Sequence, residues 1–205
     1  MYVPPHYSET DLPTLYQFID DHPFGLLISQ QDGLPVATHL PFLLDRTAGN
    51  GVLLAHVARQ NPQWEQLANQ TVLAIFHGPH AYVSPTWYQA EKVVPTWNYV
   101  AVHVYGRVTL VEDPEELIPL VRDLTDRFES NRPVPWSFDS SETFIHRTAK
   151  QIVGFRIAIE QIEGKWKLNQ NHPVERRRRV IAALREQGGD DASEIADLMV
   201  KSIGE

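Results

Sequence analysis

The segment from residue 55 to residue 64 reads Ala55-His56-Val57-Ala58-Arg59-Gln60-Asn61-Pro62-Gln63-Trp64. Its first four residues end an apolar run, which predicts the end of a β-strand. Asn61-Pro62 predicts a helix start, because asparagine is a favoured N-cap and proline is favoured at the first helical position. Helix N-termini attract anions, and a neighbouring guanidinium suits a phosphate group. The segment therefore predicts a phosphate site at Arg59 with His56 as a further donor; a surface arginine beside an ordinary capped helix is the alternative.

On both sides of this segment, short apolar runs alternate with turn residues, which is typical of a β-rich domain. Asp32-Gly33 predicts a hairpin, His77-Gly78-Pro79-His80 a strand break, Glu163-Gly164 a turn, and Ser8 with Asp11 a capping box. The predicted strands are 24–29, 34–44, 52–58, 71–76, 81–84, 96–111, 152–162 and 165–168. The predicted helices are 12–19, 61–67, 113–128, 141–149, 173–185 and 192–203. We expect a mainly β (α+β) fold, a closed barrel with helices packed outside it, and an open antiparallel sheet is the alternative.

Composition excludes several classes of function. The chain has no cysteine, which rules out disulfides, thiolate nucleophiles and cysteine-ligated zinc or iron–sulfur clusters. Its nine histidines lack a ligand motif with accompanying carboxylates, so no metal site is predicted. The formal net charge of −8 repels nucleic-acid phosphates and anionic membranes. With no apolar run of membrane-spanning length and no signal-peptide pattern, we expect a soluble cytoplasmic protein.

Two further stretches suit a flat, anionic ligand. In residues 94–106, Thr96 and Asn98 share one strand face and Trp97 and Tyr99 the other, a mixture that suits a heteroaromatic ring; a half-buried strand with an aromatic outer face is the alternative. Residues 77–88 form a predicted loop that is similarly rich in aromatics, which a subunit interface would explain equally well. Residues 165–171 carry two lysines on one side of a strand, which suits an anion. A solvated edge strand protected by lysines is the alternative there.

Taken together and in order, these segments resemble the PaiB-like, FMN-binding negative transcriptional regulator family. The matching segments are Met1-Tyr2-Val3-Pro4-Pro5-His6-Tyr7, Pro35-Val36-Ala37-Thr38-His39-Leu40-Pro41, Ala55 to Pro62, His80-Ala81-Tyr82-Val83-Ser84-Pro85, Val94 to Tyr99, and Lys165-Trp166-Lys167-Leu168-Asn169-Gln170-Asn171. The resemblance implies a split β-barrel of the FMN-binding type with peripheral helices and a C-terminal helical pair. It also implies a homodimer with FMN in a groove between the subunits.

By the same resemblance, Thr38, His39 and Leu40 would line the isoalloxazine ring. His56, Arg59 and Asn61 would lie near the phosphate. The site would be completed by Thr96, Trp97, Asn98, Lys167, Gln170 and Asn171. The family often has serine at the position of Asn169. The domain division that follows is 1–170 for the FMN-binding split barrel and 171–205 for a C-terminal helical appendage.

Three functions remain open at this point: a flavin-binding regulator, a flavin-dependent oxidoreductase of an unidentified small molecule, and a haem-binding split-barrel relative. The run from Arg176 to Arg179 lies on a predicted helix, where four consecutive residues spread over most of the circumference. The next helix begins with acidic residues, which phosphates repel. We therefore expect any effect on DNA to be indirect.

Overall fold

The computed structural model describes residues 1–204, which contain an eight-stranded sheet and five α-helices. The strands are β1 (Ser8–Glu9), β2 (Phe24–Gln31), β3 (Leu34–Pro41), β4 (Leu43–Asp45), β5 (Val52–Ala58), β6 (Thr71–Val83), β7 (Thr96–Val111) and β8 (Ile152–Lys167). The helices are α1 (Leu12–Asp21), α2 (Pro114–Glu129), α3 (Thr143–Ala149), α4 (Val174–Gln187) and α5 (Asp190–Ser202). Short 3₁₀ turns occupy Pro5–Tyr7, Pro62–Gln66 and Pro85–Tyr88. No helix among residues 1–204 is long and apolar enough to cross a membrane.

The strand order in the sheet is β3-β2-β6-β7-β8-β5-β4, and β1 pairs with β8. The β2–β3 hairpin predicted at Asp32-Gly33 is confirmed. Gln31 pairs with Leu34, and the two turn residues have φ of 51° and 80°, the positive values that such a two-residue turn requires. Within the predicted 34–44 strand the chain bends at the buried Phe42, so that β3 and β4 are separate strands.

The chain divides into two compact units. The first contains residues 1–18, 77–102 and 163 onward; the second contains residues 19–76 and 103–162. In the second unit α2 and α3 pack together, and Leu117, Leu120 and Leu124 of α2 lie in a buried apolar cluster with Val111 and Ala149. In the first unit α4 and α5 pack together as the expected C-terminal pair. Gly188 and Gly189 separate these helices with φ of 71° and 93°, a conformation that glycine adopts without strain.

Three local predictions are wrong. The strand β6 continues through His77–His80; its pairs with β2 involve residues 73–75, so Pro79 lies outside that ladder and its missing N–H is not needed there. The strand β8 continues through Gly164, which pairs with Glu9. A Cβ at Gly164 would overlap the side chain of Leu15, so this glycine serves close packing against α1 rather than a turn. The side-chain cap of α1 is Asp11, which accepts from the backbone N–H of Thr14 at 2.9 Å, and not Ser8.

Candidate functional site

The predicted site residues fall into two groups, one in each compact unit. The second unit holds Thr38, His39, Leu40, His56, Arg59 and Asn61. The first unit holds Thr96, Trp97, Asn98, Lys167, Gln170 and Asn171.

In the second unit, Thr38 and Asn61 belong to a hydrogen-bonded group that we call the amide cluster: Ser29, Thr38, Asn61 and Gln63. The Thr38 hydroxyl donates to Oε1 of Gln63 at 2.5 Å and accepts from Nδ2 of Asn61 at 3.0 Å. Nε2 of the fully buried Gln63 donates to the Ser29 hydroxyl at 2.8 Å. Because these groups satisfy one another, the cluster fixes the side chains of Thr38 and Asn61 and leaves them little spare hydrogen-bonding capacity.

At the anion site predicted for the start of the helix, most hydrogen-bonding groups already have partners within the chain. Residues Pro62–Gln66 form a single 3₁₀ turn, and Oδ1 of Asn61 accepts the N–H of Gln63 at 3.0 Å, as the predicted N-cap. The Arg59 guanidinium donates to the Glu112 carboxylate at 2.9 Å and to the carbonyl oxygens of Lys150 and Ile152 at 3.0 and 3.2 Å. Three of the five guanidinium N–H groups are therefore directed at the chain.

His56 lies on a face of β5 that α2 covers. It pairs with Gly154 of β8, and a Cβ at Gly154 would lie 2.6 Å from Cδ1 of Leu117. Paired residues of antiparallel strands point to the same side of a sheet, so His56 points toward α2. Burial lowers its pKa, and its Nδ1 has no hydrogen-bond partner among residues 1–204. On β3, by contrast, His39 is exposed and stacks on Phe24 with ring centroids 6.3 Å apart, while Leu40 is buried.

In the first unit, Lys167 lies at the end of β8 and contacts two other predicted residues. Its ammonium group donates to the Thr96 hydroxyl and to the backbone carbonyl oxygen of Trp97, the second at 2.5 Å. Partial burial, followed by the charge of Lys165, lowers the pKa of Lys167. Lys165 itself is buried, donates to the Tyr2 carbonyl oxygen at 3.1 Å, and lies 5.2 Å from the ring centroid of Tyr99. We call Lys165, Lys167, Thr96 and Trp97 the lysine cluster.

Thr96 also lines a cavity of about 220 Å³, which we call the tyrosine pocket. Its wall contains Tyr7, Tyr88, Asn169, Asn171 and His172. The Tyr7 hydroxyl donates to Oδ1 of Asn171 at 2.9 Å, and Nδ2 of Asn169 donates to the Tyr88 hydroxyl at 3.0 Å. The Tyr88 side chain is fully buried, so its bond with Asn169 fixes the wall of the pocket.

Burial keeps three titratable side chains of the tyrosine pocket uncharged at neutral pH: Tyr7, Tyr88 and His172. Burial is the largest cause that raises the pKa of Tyr7, followed by Tyr88 and Tyr99. Burial likewise raises the pKa of Tyr88, against the opposing hydrogen bond from Asn169. Burial and then Arg176 lower the pKa of His172, whose ring stacks on Tyr88 at 4.7 Å. At neutral pH the pocket wall therefore combines neutral phenols, amides and a neutral imidazole with the side chain of Lys92.

Two predicted residues of this group have local structural contacts. Gln170 accepts from the backbone N–H of Leu168 at 2.7 Å and donates to the carbonyl oxygen of Trp166 at 2.6 Å, so its amide closes its own turn. Asn98 is fully buried; its Nδ2 donates to Sδ of Met199 at 3.4 Å, while its Oδ1 has no partner among the described residues.

Sequence reasoning did not nominate Gln63, Tyr88 and His172. The dense aromatics of residues 77–88 were the one available signal for Tyr88.

An exposed aromatic surface adjoins the lysine cluster through Trp97. The Trp97 side chain is 53% exposed. Its ring lies 5.7 Å from that of Tyr82 and 6.0 Å from that of His80. His80 also approaches Asp191 of α5, with Nδ1 3.3 Å from the carboxylate. Flat ring faces beside a cation are an arrangement that suits a planar anionic ligand.

Comparison with solved structures defines the class of protein. A FAD and heme binding protein from Mycobacterium smegmatis has a TM-score of 0.61 at 17% identity, over 78% of this chain and 73% of that chain. The flavocytochrome Anf3 from Azotobacter vinelandii has a TM-score of 0.60 at 16% identity, over 80% of this chain and 72% of that chain. At these identities the likeness shows the fold. The expected split β-barrel with peripheral helices and a C-terminal helical pair is confirmed.

The sequence comparisons then give the family. Residues 1–161 match the family model described as "Putative FMN-binding domain", and the chain belongs to this family, whose cofactor is FMN. The protease synthase and sporulation protein PAI 2 of Bacillus subtilis is 35% identical over 97% of this chain and 96% of its own length. An uncharacterized protein of Aspergillus fumigatus is 34% identical over 96% of this chain and 95% of its own length. The PaiB-like resemblance seen in the sequence is thereby confirmed.

Proposed function

We propose that this protein is a cytoplasmic, homodimeric, FMN-binding regulator of the PaiB type, in which the lysine cluster and the tyrosine pocket hold part of the flavin. The observation that carries the proposal is the position of Lys167. Its half-buried ammonium group is fixed by Thr96 and by the Trp97 carbonyl oxygen, beside both a polar cavity and an exposed indole ring.

The chemistry of these residues fits FMN. A phosphate or the electron-rich edge of a flavin ring calls for a cation and neutral hydrogen-bond donors. Lys167 and the Asn171 amide supply them, and Trp97 supplies a ring face. Bound FMN would contribute redox chemistry, while the protein would contribute orientation and electrostatics.

The size of the tyrosine pocket supports the homodimer. Its 220 Å³ lie below the roughly 300–1,000 Å³ that sites for drug-sized ligands occupy. The pocket therefore accounts for one end of FMN, and the rest of the molecule needs additional surface. A second subunit would provide that surface, as the family resemblance implies.

The proposed site residues of the second unit differ in how well placed their side chains are to meet a ligand. Thr38, His39, Leu40 and Asn61 stay proposed flavin contacts, with the exposed His39 ring on β3 best placed to meet a ligand. Arg59 and His56 stay proposed neighbours of the phosphate from the family resemblance, without a direct contact to it, because Arg59 bonds Glu112 and His56 faces α2.

The contacts of the arginine run support indirect regulation. Arg177 is buried and donates to the Ser202 hydroxyl, Arg179 donates to the Tyr88 carbonyl oxygen at 2.8 Å, and Arg178 pairs with Glu175 at 3.2 Å. Arginines engaged in this way form a poor groove reader. We therefore propose that the flavin state or the dimer, rather than this helix, controls transcription.

The experiment is an FMN titration of the flavin-free protein, followed by the quenching of flavin fluorescence, with Lys167→Met and the control Lys201→Met on α5. Saturable one-to-one binding per chain is expected, weakened at least tenfold in Lys167→Met and within twofold of wild type in Lys201→Met. Light scattering should report a dimer. Wild-type protein that takes up no FMN, or Lys167→Met with unchanged affinity, would contradict the proposal.

The same preparation separates the other functions expected from the sequence. The absorption spectrum and the mass of the copurified molecule distinguish flavin from haem. Bleaching of the flavin by NAD(P)H without retention of DNA would identify an oxidoreductase. Retention of DNA that depends on the flavin would support the regulator.

A further inference from the structure

A second cavity lies in the other compact unit, between α2, α3 and the loop that joins them. It measures about 180 Å³ and is lined by apolar side chains, including those of Ile118, Val121, Phe138 and Ile145. Its residues are not among those proposed to bind FMN. We call it the α2–α3 pocket.

The two threonine hydroxyls of the α2–α3 pocket already donate hydrogen bonds within the chain. The hydroxyl of Thr125 donates to the carbonyl oxygen of Val121 at 2.8 Å, and that of Thr148 donates to the carbonyl oxygen of Phe144 at 2.8 Å. Both bonds close within the helix that carries the threonine. An occupant with a charge or an unpaired polar group would therefore lose its hydration without compensation, which disfavours its binding.

Three aromatic rings shape the mouth of the pocket. Trp136 and Phe144 are each 58% exposed, and the Trp136 and Phe138 ring centroids are 5.7 Å apart. The backbone N–H of Trp136 donates to the Glu129 carboxylate at 2.9 Å, which ties the loop to the end of α2. The rim is thus open to solvent and held in place, so that a small molecule can enter without unfolding of α3.

Volume and lining together define the ligand. An apolar cavity of about 150 Å³ engineered in another protein binds benzene and xenon and stays dry. The α2–α3 pocket is somewhat larger, and aromatic walls favour offset or edge-to-face contacts with another ring. We propose that the α2–α3 pocket is a binding site for a small, uncharged aromatic molecule of one ring or two fused rings.

The test compares toluene with benzoate, which carries the same ring and a carboxylate. Binding is measured by ligand-detected NMR and by the shift of the thermal unfolding midpoint. Toluene should bind saturably and raise the midpoint progressively with its concentration, and benzoate should do neither at equal concentration. Equal binding of the two probes, or no binding of toluene, would overturn the proposal.

Variants locate the site. Ala149 is buried in the pocket wall, and Ala149→Leu fills the space, so it should weaken toluene binding at least tenfold. Ala182→Leu, the same change at an exposed site on α4 outside the pocket wall, should keep wild-type affinity. Because Ala149→Leu can also disturb folding, Trp136→Ala removes an exposed wall instead and should weaken binding at least fivefold.

Light scattering of the Trp136→Ala variant tests the other possible occupant. If that variant changes the oligomeric state of the protein, another copy of the chain covers the aromatic rim, and the proposal of a small-molecule site is wrong. An unchanged oligomeric state together with weaker toluene binding supports it.

Discussion

The guanidinium of Arg59 is joined to the carboxylate of Glu112 by a 2.9 Å hydrogen bond, and the same side chain reaches two backbone carbonyl oxygens next to the start of β8. Arg59 also lies over the ring of Trp64, 5.3 Å from its centroid. One arginine thus connects the end of β5 to the chain on either side of Gln151. This arrangement indicates a structural role for Arg59.

Arg59→Met is therefore expected to lower the free energy of unfolding by about 1–2 kcal/mol, since it removes charge-assisted hydrogen bonds that are partly exposed. FMN affinity should change by less than threefold. Urea unfolding and FMN titration of the same preparation check both values, and Glu112→Gln is the matched control for the lost ion pair. A tenfold loss of FMN affinity with normal stability would instead place Arg59 at the phosphate.

The burial of His56 predicts a pH dependence of stability. Its lowered pKa means that the unfolded chain binds a proton more readily than the folded chain, so this group destabilises the protein as the pH falls below about 6.5. His56→Leu and His56→Gln both remove the imidazole that takes up this proton. As the pH falls from 8 to 5, the free energy of unfolding of each variant should rise relative to that of wild type, as measured by urea unfolding. A stability difference that stays constant over this range would contradict the prediction.

Two glycines of neighbouring strands should differ in their tolerance of alanine. A Cβ at Gly106 would overlap the carbonyl oxygen of Ala158, which is backbone and cannot move aside. A Cβ at Gly154 meets Cδ1 of Leu117 at 2.6 Å, the end of a flexible side chain. We expect Gly106→Ala to cost about 3 kcal/mol and Gly154→Ala about 1 kcal/mol in urea unfolding. The reverse order would show that the strands can shift more easily than the leucine.

Asn169 combines a strained backbone with a buried hydrogen bond. Its φ is 61°, and its amide holds the Tyr88 hydroxyl. Asn169→Gly keeps the backbone relaxed and loses only the bond, at about 1 kcal/mol, whereas Asn169→Ala adds the strain of a left-handed alanine for a total of about 2 kcal/mol. Thermal and urea unfolding of the two variants check this order. Equal costs would show that the strain at this position is negligible.

Local sequence patterns predicted the elements whose signals are contained within a few residues. The hairpin at Asp32-Gly33, the cap at Asn61 and the helix after Asp113 all depend on adjacent residues, and the structure confirms them. The continuity of β6 depends instead on Pro79 lying outside the ladder with β2, and that of β8 on what packs against Gly164; no local pattern contains that information.

The same limit applies to the candidate site. The sequence nominated Thr38 and Asn61 for different parts of a ligand, and the structure joins them through Gln63, a residue with no motif of its own. Lys167 and Thr96 were nominated together and do contact each other. Tyr88 and His172 are brought face to face by the fold across a long interval of chain, which spacing alone does not reveal.

Tyr88 contributes to both the tyrosine pocket and helix α4, through different atoms. Its ring stacks on His172 and its hydroxyl meets Asn169, while its carbonyl oxygen accepts from Arg179 of α4. Mutations at these positions therefore do not have independent effects. A substitution selected for its benefit to the helix also alters the wall of the cavity. Evolution of ligand preference and evolution of the C-terminal helices are tied together at this residue.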